Sequence, residues 1–149
     1  MLINEKLISL NCQGADKESV IRELALLASN EGRLIDIEKY TAAVLHRESE
    51  YSTAVGFGVA IPHGKTDAVK EPFLLFGKVN SVDWASLDGS LVDLVFMIGV
   101  PEAEADSLHL KILAALSRKL MKEPFREALR KADSAEALIQ VLKEYEIGI

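Results

Sequence analysis

Three histidines and one arginine come first, because imidazole can take up a transferable group and guanidinium can clamp an anionic one. His63 stands in Ile61-Pro62-His63-Gly64-Lys65, directly after a glycine-interrupted apolar run. Pro62 stiffens the backbone before it and Gly64 permits a sharp turn after it, so the ring is expected to project from a strand end on fixed scaffolding. A surface-loop histidine fits the same local sequence, and the partners around it decide between the two. Arg47 sits shortly before the glycine-rich segment that delivers His63. It reads either as a snorkelling side chain paired with Glu48 or Glu50, or as a planar fork aimed at an oxyanion. Ser52 and Thr53 can add hydroxyl or backbone donors at that place, or simply turn the chain. His109 falls in the first turn of an apolar-faced helix, where unpaired N–H groups and the positive dipole end suit an anion such as phosphate. The same position suits a hydrogen-bonded core histidine. His46 falls on an outward face and reads as solvated.

Other chemistries find less support. A metallohydrolase built on the three histidines needs ligands converging at about 2.0–2.1 Å on a zinc ion, and no histidine spacing here forms a HExxH-type motif. Gly56-x-Gly58 precedes a strand rather than a helix, so it is no dinucleotide fingerprint. Cys12 is the single cysteine. That excludes an intrachain disulfide and a thiolate zinc cluster, and leaves a small buried residue as its role. Trp84 reads as a packing residue.

Elements must hold these groups in place. Asp16 caps a stretch with Val20, Leu24, Leu27 and Ala28 at helical spacing, stopped by Gly32, which predicts a helix over 17–31. Asp36 caps a second helix with Ile37, Tyr40, Val44 and Arg47 on its inward side. Val59-Ala60-Ile61 reads as a short strand between loops, and 73–79 and 91–100 as two mostly buried strands. After Pro101 the pattern is helical: Asp106 or Ser107 caps a helix with His109, Ile112, Leu113, Leu116 and Leu120 on one face. Glu123-Pro124 starts a short helix, and Asp133-x-x-Glu136 is a capping box for the last. Helices before and after a central group of strands predict an α/β, α+β-layered fold, a mixed β-sheet flanked by helices, in one domain over 1–149.

The 149 residues carry 17 Lys and Arg against 23 Asp and Glu, a net charge of -6, with 49% hydrophobic and 27% charged residues. This is the composition of one ordinary globular domain that needs no disulfide or metal to hold a core. The acidic balance, with no basic stripe, argues against general affinity for nucleic acid or anionic membrane. No apolar run reaches the ~20 residues of a membrane span, and the start has no secretory-signal pattern, so a cytoplasmic protein is expected.

Glu48, six residues, then Val55-Gly-Phe-Gly-Val-Ala-Ile-Pro-His63-Gly64 closely resembles the active-site signature of the IIA domains of the fructose and mannitol class of the bacterial phosphoenolpyruvate-dependent sugar phosphotransferase system. A second block, Val92-Asp-Leu-Val-Phe, Val100-Pro-Glu102 and 109–120 through Phe125-Arg126, is most similar to the fructose branch. Ala54 stands where that family usually has Gly. The resemblance implies a mixed sheet flanked by helices and a phosphohistidine carrier. His63 would accept a phosphoryl group from the phosphocarrier HPr on its tele nitrogen and pass it to a cysteine of a IIB domain that works with a membrane IIC domain. His109 and Arg47 would stabilise the group, with no metal and no cofactor. Phe57, an aromatic in a Gly-flanked loop, is then the candidate apolar contact beside the reacting nitrogen. A regulatory nitrogen-branch relative, signalling through its phosphorylation state, would share His63 and Arg47.

Overall fold

Three helices begin at a side chain that accepts the N–H left unpaired by the first turn. Asp16 Oδ1 accepts from Ser19 N at 2.8 Å to open α1 (Lys17–Asn30). Asp36 Oδ1 accepts from Lys39 N at 3.1 Å to open α2 (Ile37–Glu50). The last helix, α5 (Ala135–Glu144), is capped by Ser134, whose Oγ accepts from Ala137 N at 3.0 Å. That displaces the Asp133 capping box by one residue. Ala132 still closes the preceding helix, its N–H bonded to Ala128 O, so Asp133 serves as the link between the two. That preceding helix, α4 (Glu123–Lys131), starts with Pro124 in its first turn, as expected. The computed structural model describes residues 2–145 and 147, and the backbone alone over 104–110. α3 (Ala105–Leu120) begins ahead of the expected caps Asp106 and Ser107, whose side chains, like that of His109, lie outside the described residues.

Six strands form one sheet: β1 (Ile8–Ser9), β2 (Ala54–Gly56), β3 (Val59–Ala60), β4 (His63–Thr66), β5 (Phe73–Val82) and β6 (Val92–Pro101). The order is β1-β5-β6-β3-β2, with β4 also on β6. β5 and β6 run antiparallel, β1 joins β5 in parallel, β3 and β4 join β6 in parallel, and β2 closes back on β3 antiparallel. The expected mixed sheet flanked by helices is therefore the fold observed. β5 and β6, the two strands read from their apolar runs, are the long central pair. β1, β2 and β4 are too short for any alternation to show.

Paired residues share a face, and that fixes the layers. Gly64, Gly99 and Phe73 lie in one row across β4, β6 and β5. A Cβ on Gly64 would come within 3.0–3.1 Å of Val44 and Tyr40 of α2, and one on Gly77 would press into Leu24 of α1. Glycine at 64 thus serves close approach of a helix to a strand, rather than the sharp turn expected from the sequence. The buried phenol of Tyr40 locks this contact by donating to Ile98 O at 2.8 Å, and its ring meets Phe73 edge-on at 5.5 Å. α1 and α2 cover this face, and α3 packs against β6 from the other.

Candidate functional site

His63 opens β4, opposite Ile98 of β6, with Ile98 N bonded to Pro62 O at 3.0 Å. It is a strand residue and not a loop one. Because side chains alternate along a strand and Gly64 faces α2, His63 points to the opposite side, where Leu113 and Ser117 of α3 share with it a cavity of about 250 Å³. The ring is half-buried. Its Nδ1 lies 2.9 Å from Ile61 O, and a carbonyl can only accept, so Nδ1 carries the proton and the lone pair is on Nε2. Burial, above all, holds the imidazole pKa below its ordinary 6.5; the nearby Arg47 charge lowers it too, while the Ile61 bond and Glu48 oppose the shift. At neutral pH the ring is a neutral nucleophile.

Arg47 lines the same cavity from the last turn of α2. Its Nη1 donates to Tyr51 O at 2.9 Å and its guanidinium lies 4.1 Å from the Tyr51 ring centroid, so it is held by Tyr51 and not by Glu48 or Glu50. The inward stripe of α2 is Tyr40, Thr41, Val44 and Glu48, and Arg47 stands at its edge. Ser52 and Thr53 line the cavity as well, with their hydroxyls committed internally: Ser52 Oγ donates to Trp84 O and accepts from Ala54 N, and Thr53 Oγ1 donates to Glu48 Oε2. They shape the wall more than they offer donors. α3 carries His109 one and two turns before Leu113 and Ser117.

Phe57 is placed elsewhere. It forms, with Gly58, the two-residue tip of the β2–β3 hairpin and does not line the His63 cavity. Its φ of +60° lies between Gly56 at +92° and Gly58 at +81°, the left-handed run that a tight hairpin requires. Asp88 Oδ2 accepts from its N–H at 3.0 Å and Arg130 Nη2 donates to its carbonyl at 2.7 Å. The ring is 46% exposed, under the guanidinium of Arg126 at 4.1 Å.

Glu48 has a role that the helical pattern alone did not single out. Only 7% exposed, its carboxylate accepts from Thr53 N at 3.2 Å and from the Thr53 hydroxyl, and pairs with Lys17 Nζ at 3.2 Å. A glutamate next to the arginine and five residues before a Thr was the signal available. Cys12 is buried, its thiol pushed up to about 11 chiefly by burial, and Trp84 is fully buried. His46 is exposed. Among the described residues no group of three or more acidic, histidine or cysteine side chains converges as a metal site, and no helix is long and apolar enough to cross a membrane.

Comparison with known proteins agrees with this geometry. The model of the family described as "Phosphoenolpyruvate-dependent sugar phosphotransferase system, EIIA 2" matches residues 1–145. A fructose-specific EIIA component of Haloferax volcanii is 44% identical over 93% of this chain and 90% of its own length. The fructose-specific EIIABC component of Bacillus subtilis is 40% identical over 97% of this chain, which spans 23% of that longer protein. A nitrogen regulatory protein of Bradyrhizobium diazoefficiens is 38% identical over 85% of the chain and 82% of its own length. Among solved structures, nitrogen regulatory protein IIA-Ntr from Neisseria meningitidis superposes with a TM-score of 0.87 at 31% identity, covering 95% of this chain and 96% of that one. Enzyme IIAMTL of Escherichia coli, solved in complex with phosphorylated enzyme IIBMTL, shares the fold at a TM-score of 0.81 and 23% identity, over 95% and 97% of the two chains.

Proposed function

The chain belongs to the EIIA 2 family of the phosphoenolpyruvate-dependent sugar phosphotransferase system, and from that premise we propose that it is the phosphohistidine carrier of a fructose-type sugar uptake system, with His63 as acceptor. The observation that carries this reading is the His63 ring, held as its Nδ1–H tautomer by Ile61 O in a cavity it shares with the Arg47 guanidinium. In the first transfer the Nε2 lone pair attacks phosphorus, an N–P bond forms, and the N–P bond to the HPr histidine breaks. The product ring carries a positive charge spread over both nitrogens, and Ile61 O, accepting from Nδ1–H, stabilises it. In the second, a IIB cysteine thiolate attacks, the S–P bond forms, and His63 leaves as neutral imidazole with its Nδ1 proton never having moved. Arg47 neutralises charge on the equatorial oxygens, and His109, on α3, is assigned the same task. Ser52 and Thr53 bound the phosphoryl group on the α2–β2 side.

Incubation with phosphoenolpyruvate, enzyme I and HPr should add one phosphoryl group, labile in acid and stable in alkali, and His63→Ala should abolish it. An acid-stable adduct, or labelling of that variant at the wild-type rate, overturns the assignment. The likeness to nitrogen regulatory IIA-Ntr at a TM-score of 0.87 favours a second reading, in which the same phosphohistidine reports a metabolic state to partner proteins. Phosphate passage to a matched IIB domain, with sugar phosphorylation following, supports the carrier; a phosphorylated protein that no IIB discharges supports the signalling one.

A further inference from the structure

We infer that Glu48 is a positioning residue for His63, acting through a continuous chain of bonds that runs from Lys17 through Glu48, Thr53 and Ile61 to the imidazole. The chain starts where α1 begins: Lys17 Nζ pairs with Glu48 Oε1 at 3.2 Å. The Glu48 carboxylate takes both the backbone N–H of Thr53, at 3.2 Å, and its hydroxyl, so the Thr53 backbone is held at two points. Thr53 O accepts from Ile61 N at 3.1 Å, extending the β2–β3 pairing by one rung. Ile61 O accepts from His63 Nδ1 at 2.9 Å. Each link fixes the donor or acceptor of the next. Pro62 adds to this by confining Ile61 to extended backbone, which aims the carbonyl before the ring arrives.

Burial makes the arrangement costly to build for stability alone. A carboxylate this far from water is tolerated only when its lone pairs are satisfied and a cation is near, and an apolar side chain at the same helical position would pack without either requirement. What the carboxylate adds is direction: it ties the end of α2 to Thr53, whose carbonyl in turn pairs with Ile61, the residue that carries the tautomer-setting carbonyl. The charged side chains whose fields act on the ring from α2 are Arg47, lowering its proton affinity, and Glu48, raising it.

The role rests on the phosphocarrier reading for its rate consequence and on none of it for its spectroscopic one. Glu48→Met keeps the length of the side chain and carries no oxygen acceptor for Thr53 N–H, the Thr53 hydroxyl or Lys17. In the folded variant, imidazole 15N spectra should show Nε2–H tautomer appearing at His63, and the His63 pKa should fall with loss of the carboxylate charge. Single-turnover phosphate uptake from phospho-HPr should slow on the order of ten- to hundredfold, as small misplacements of reacting groups do. Wild-type tautomer populations and pKa in folded Glu48→Met overturn the inference, whatever the melting temperature. If that variant fails to fold, Thr53→Val, which removes only the hydroxyl link, must still shift the tautomer balance, and an unchanged spectrum there overturns it equally. A wild-type protein that takes up no phosphate defeats the functional reading and leaves the spectra to judge the chain of bonds.

Discussion

The hairpin tip at Phe57 and Gly58 is joined to His63 by the two residues of β3 and by Ile61 and Pro62, yet the two regions are held differently. Around His63 several bonds are local in sequence, His63 to Ile61, Thr53 to Glu48 and Arg47 to Tyr51, and they are joined by long-range ties from Lys17 to Glu48, Ser52 to Trp84 and Ile98 to Pro62. At the tip, Phe57 is clamped by Asp88, 31 residues away, and by Arg130, 73 away. Asp93 holds Arg130 in place through two charged bonds of 2.8 and 2.9 Å. The first region is a half-buried ring tuned by the opposed charges of Arg47 and Glu48. The second is strained backbone at the surface, held open by salt-linked side chains from the far end of the chain. The cavity joins local bonds to ties from α1, Trp84 and β6 and half-buries a ring, whereas the tip rests on side chains distant in sequence and leaves an aromatic 46% exposed.

The largest effect that separates them is expected at Arg47. Arg47→Lys keeps the charge and loses the fork and its stacking on Tyr51, so phosphate transfer should slow by about 10² to 10³, as loss of one transition-state donor does, while the melt and the hairpin amides stay as they were. Single-turnover rates beside thermal melts read this. A normal rate would show that any cation suffices and that the cavity is less selective than its geometry suggests.

The range over which each tie acts also explains what was legible in the sequence. Asp16, Asp36 and Pro124 announce their helices because a cap acts within one turn, and the 73–79 and 91–100 runs announce β5 and β6 because long, mostly buried strands leave a pattern. His63 and Arg47 could be singled out by residue type and by the Pro62 and Gly64 that flank the histidine, and the structure brings both to one cavity. β1, β2 and β4 were not, since two to four residues hold no periodicity and their pairing partner is β5, β3 or β6. Phe57 was expected beside the reacting nitrogen because its Gly neighbours imply a loop; nothing nearby reveals that Asp88 and Arg130 will turn it to the hairpin tip. The cap moves from Asp133 to Ser134 for a local reason, Ala132 still closing α4, whereas the turn expected at Gly64 gives way to a tertiary contact. For Gly64 the contact is the approach of Tyr40 and Val44.

A smaller effect is expected from the clamp. Arg130→Ala removes the bonds to Asp93 and to Phe57 O; with a third of that side chain in water, the cost should be about 1 to 2 kcal/mol. Faster hydrogen exchange should be confined to the amides of Phe57 and Gly58, with the His63 tautomer intact. Spread of the damage into the His63 spectrum would mean that the two regions are one unit.

The strain itself can be weighed with a pair of variants. Phe57→Ala and Phe57→Gly both lose the ring and its contact with Arg126, so their difference isolates the backbone. At a φ of +60° glycine should be the more stable by about 1 kcal/mol, reversing its usual disadvantage in a strand or helix. If alanine is the more stable, the left-handed conformation is not the one populated in solution. Equal slowing of partner-dependent transfer in both variants would assign the ring itself to the contact surface.

The smallest effect comes from pH. The folded His63 binds its proton less readily than an ordinary imidazole, so as pH falls from 7.5 to 6.5 a smaller share of it is protonated than of a free one, which becomes half protonated. Phosphate uptake should fall by less over that interval than the roughly twofold an unshifted histidine gives. Lower still, the unfolded chain binds the proton that the folded one refuses, so the His63 contribution to stability is present above the ordinary pKa of 6.5 and drains away as pH falls towards the folded value. The hairpin responds in a different window. Hydrogen bonds from Ser86 and Ser90, with those from the Ser90 and Phe57 amides, hold the Asp88 carboxyl well below the usual carboxylate range. Its contribution is therefore complete above the ordinary aspartate pKa and is lost only as pH drops through that depressed value. An NMR titration from pH 7.5 to 4.5 should accordingly move the His63 ring while the Phe57 and Ser90 amides, bonded to Asp88, stay still. Amide shifts that follow the imidazole would show the tip answering to the cavity, and the division between the two regions would fail at that point.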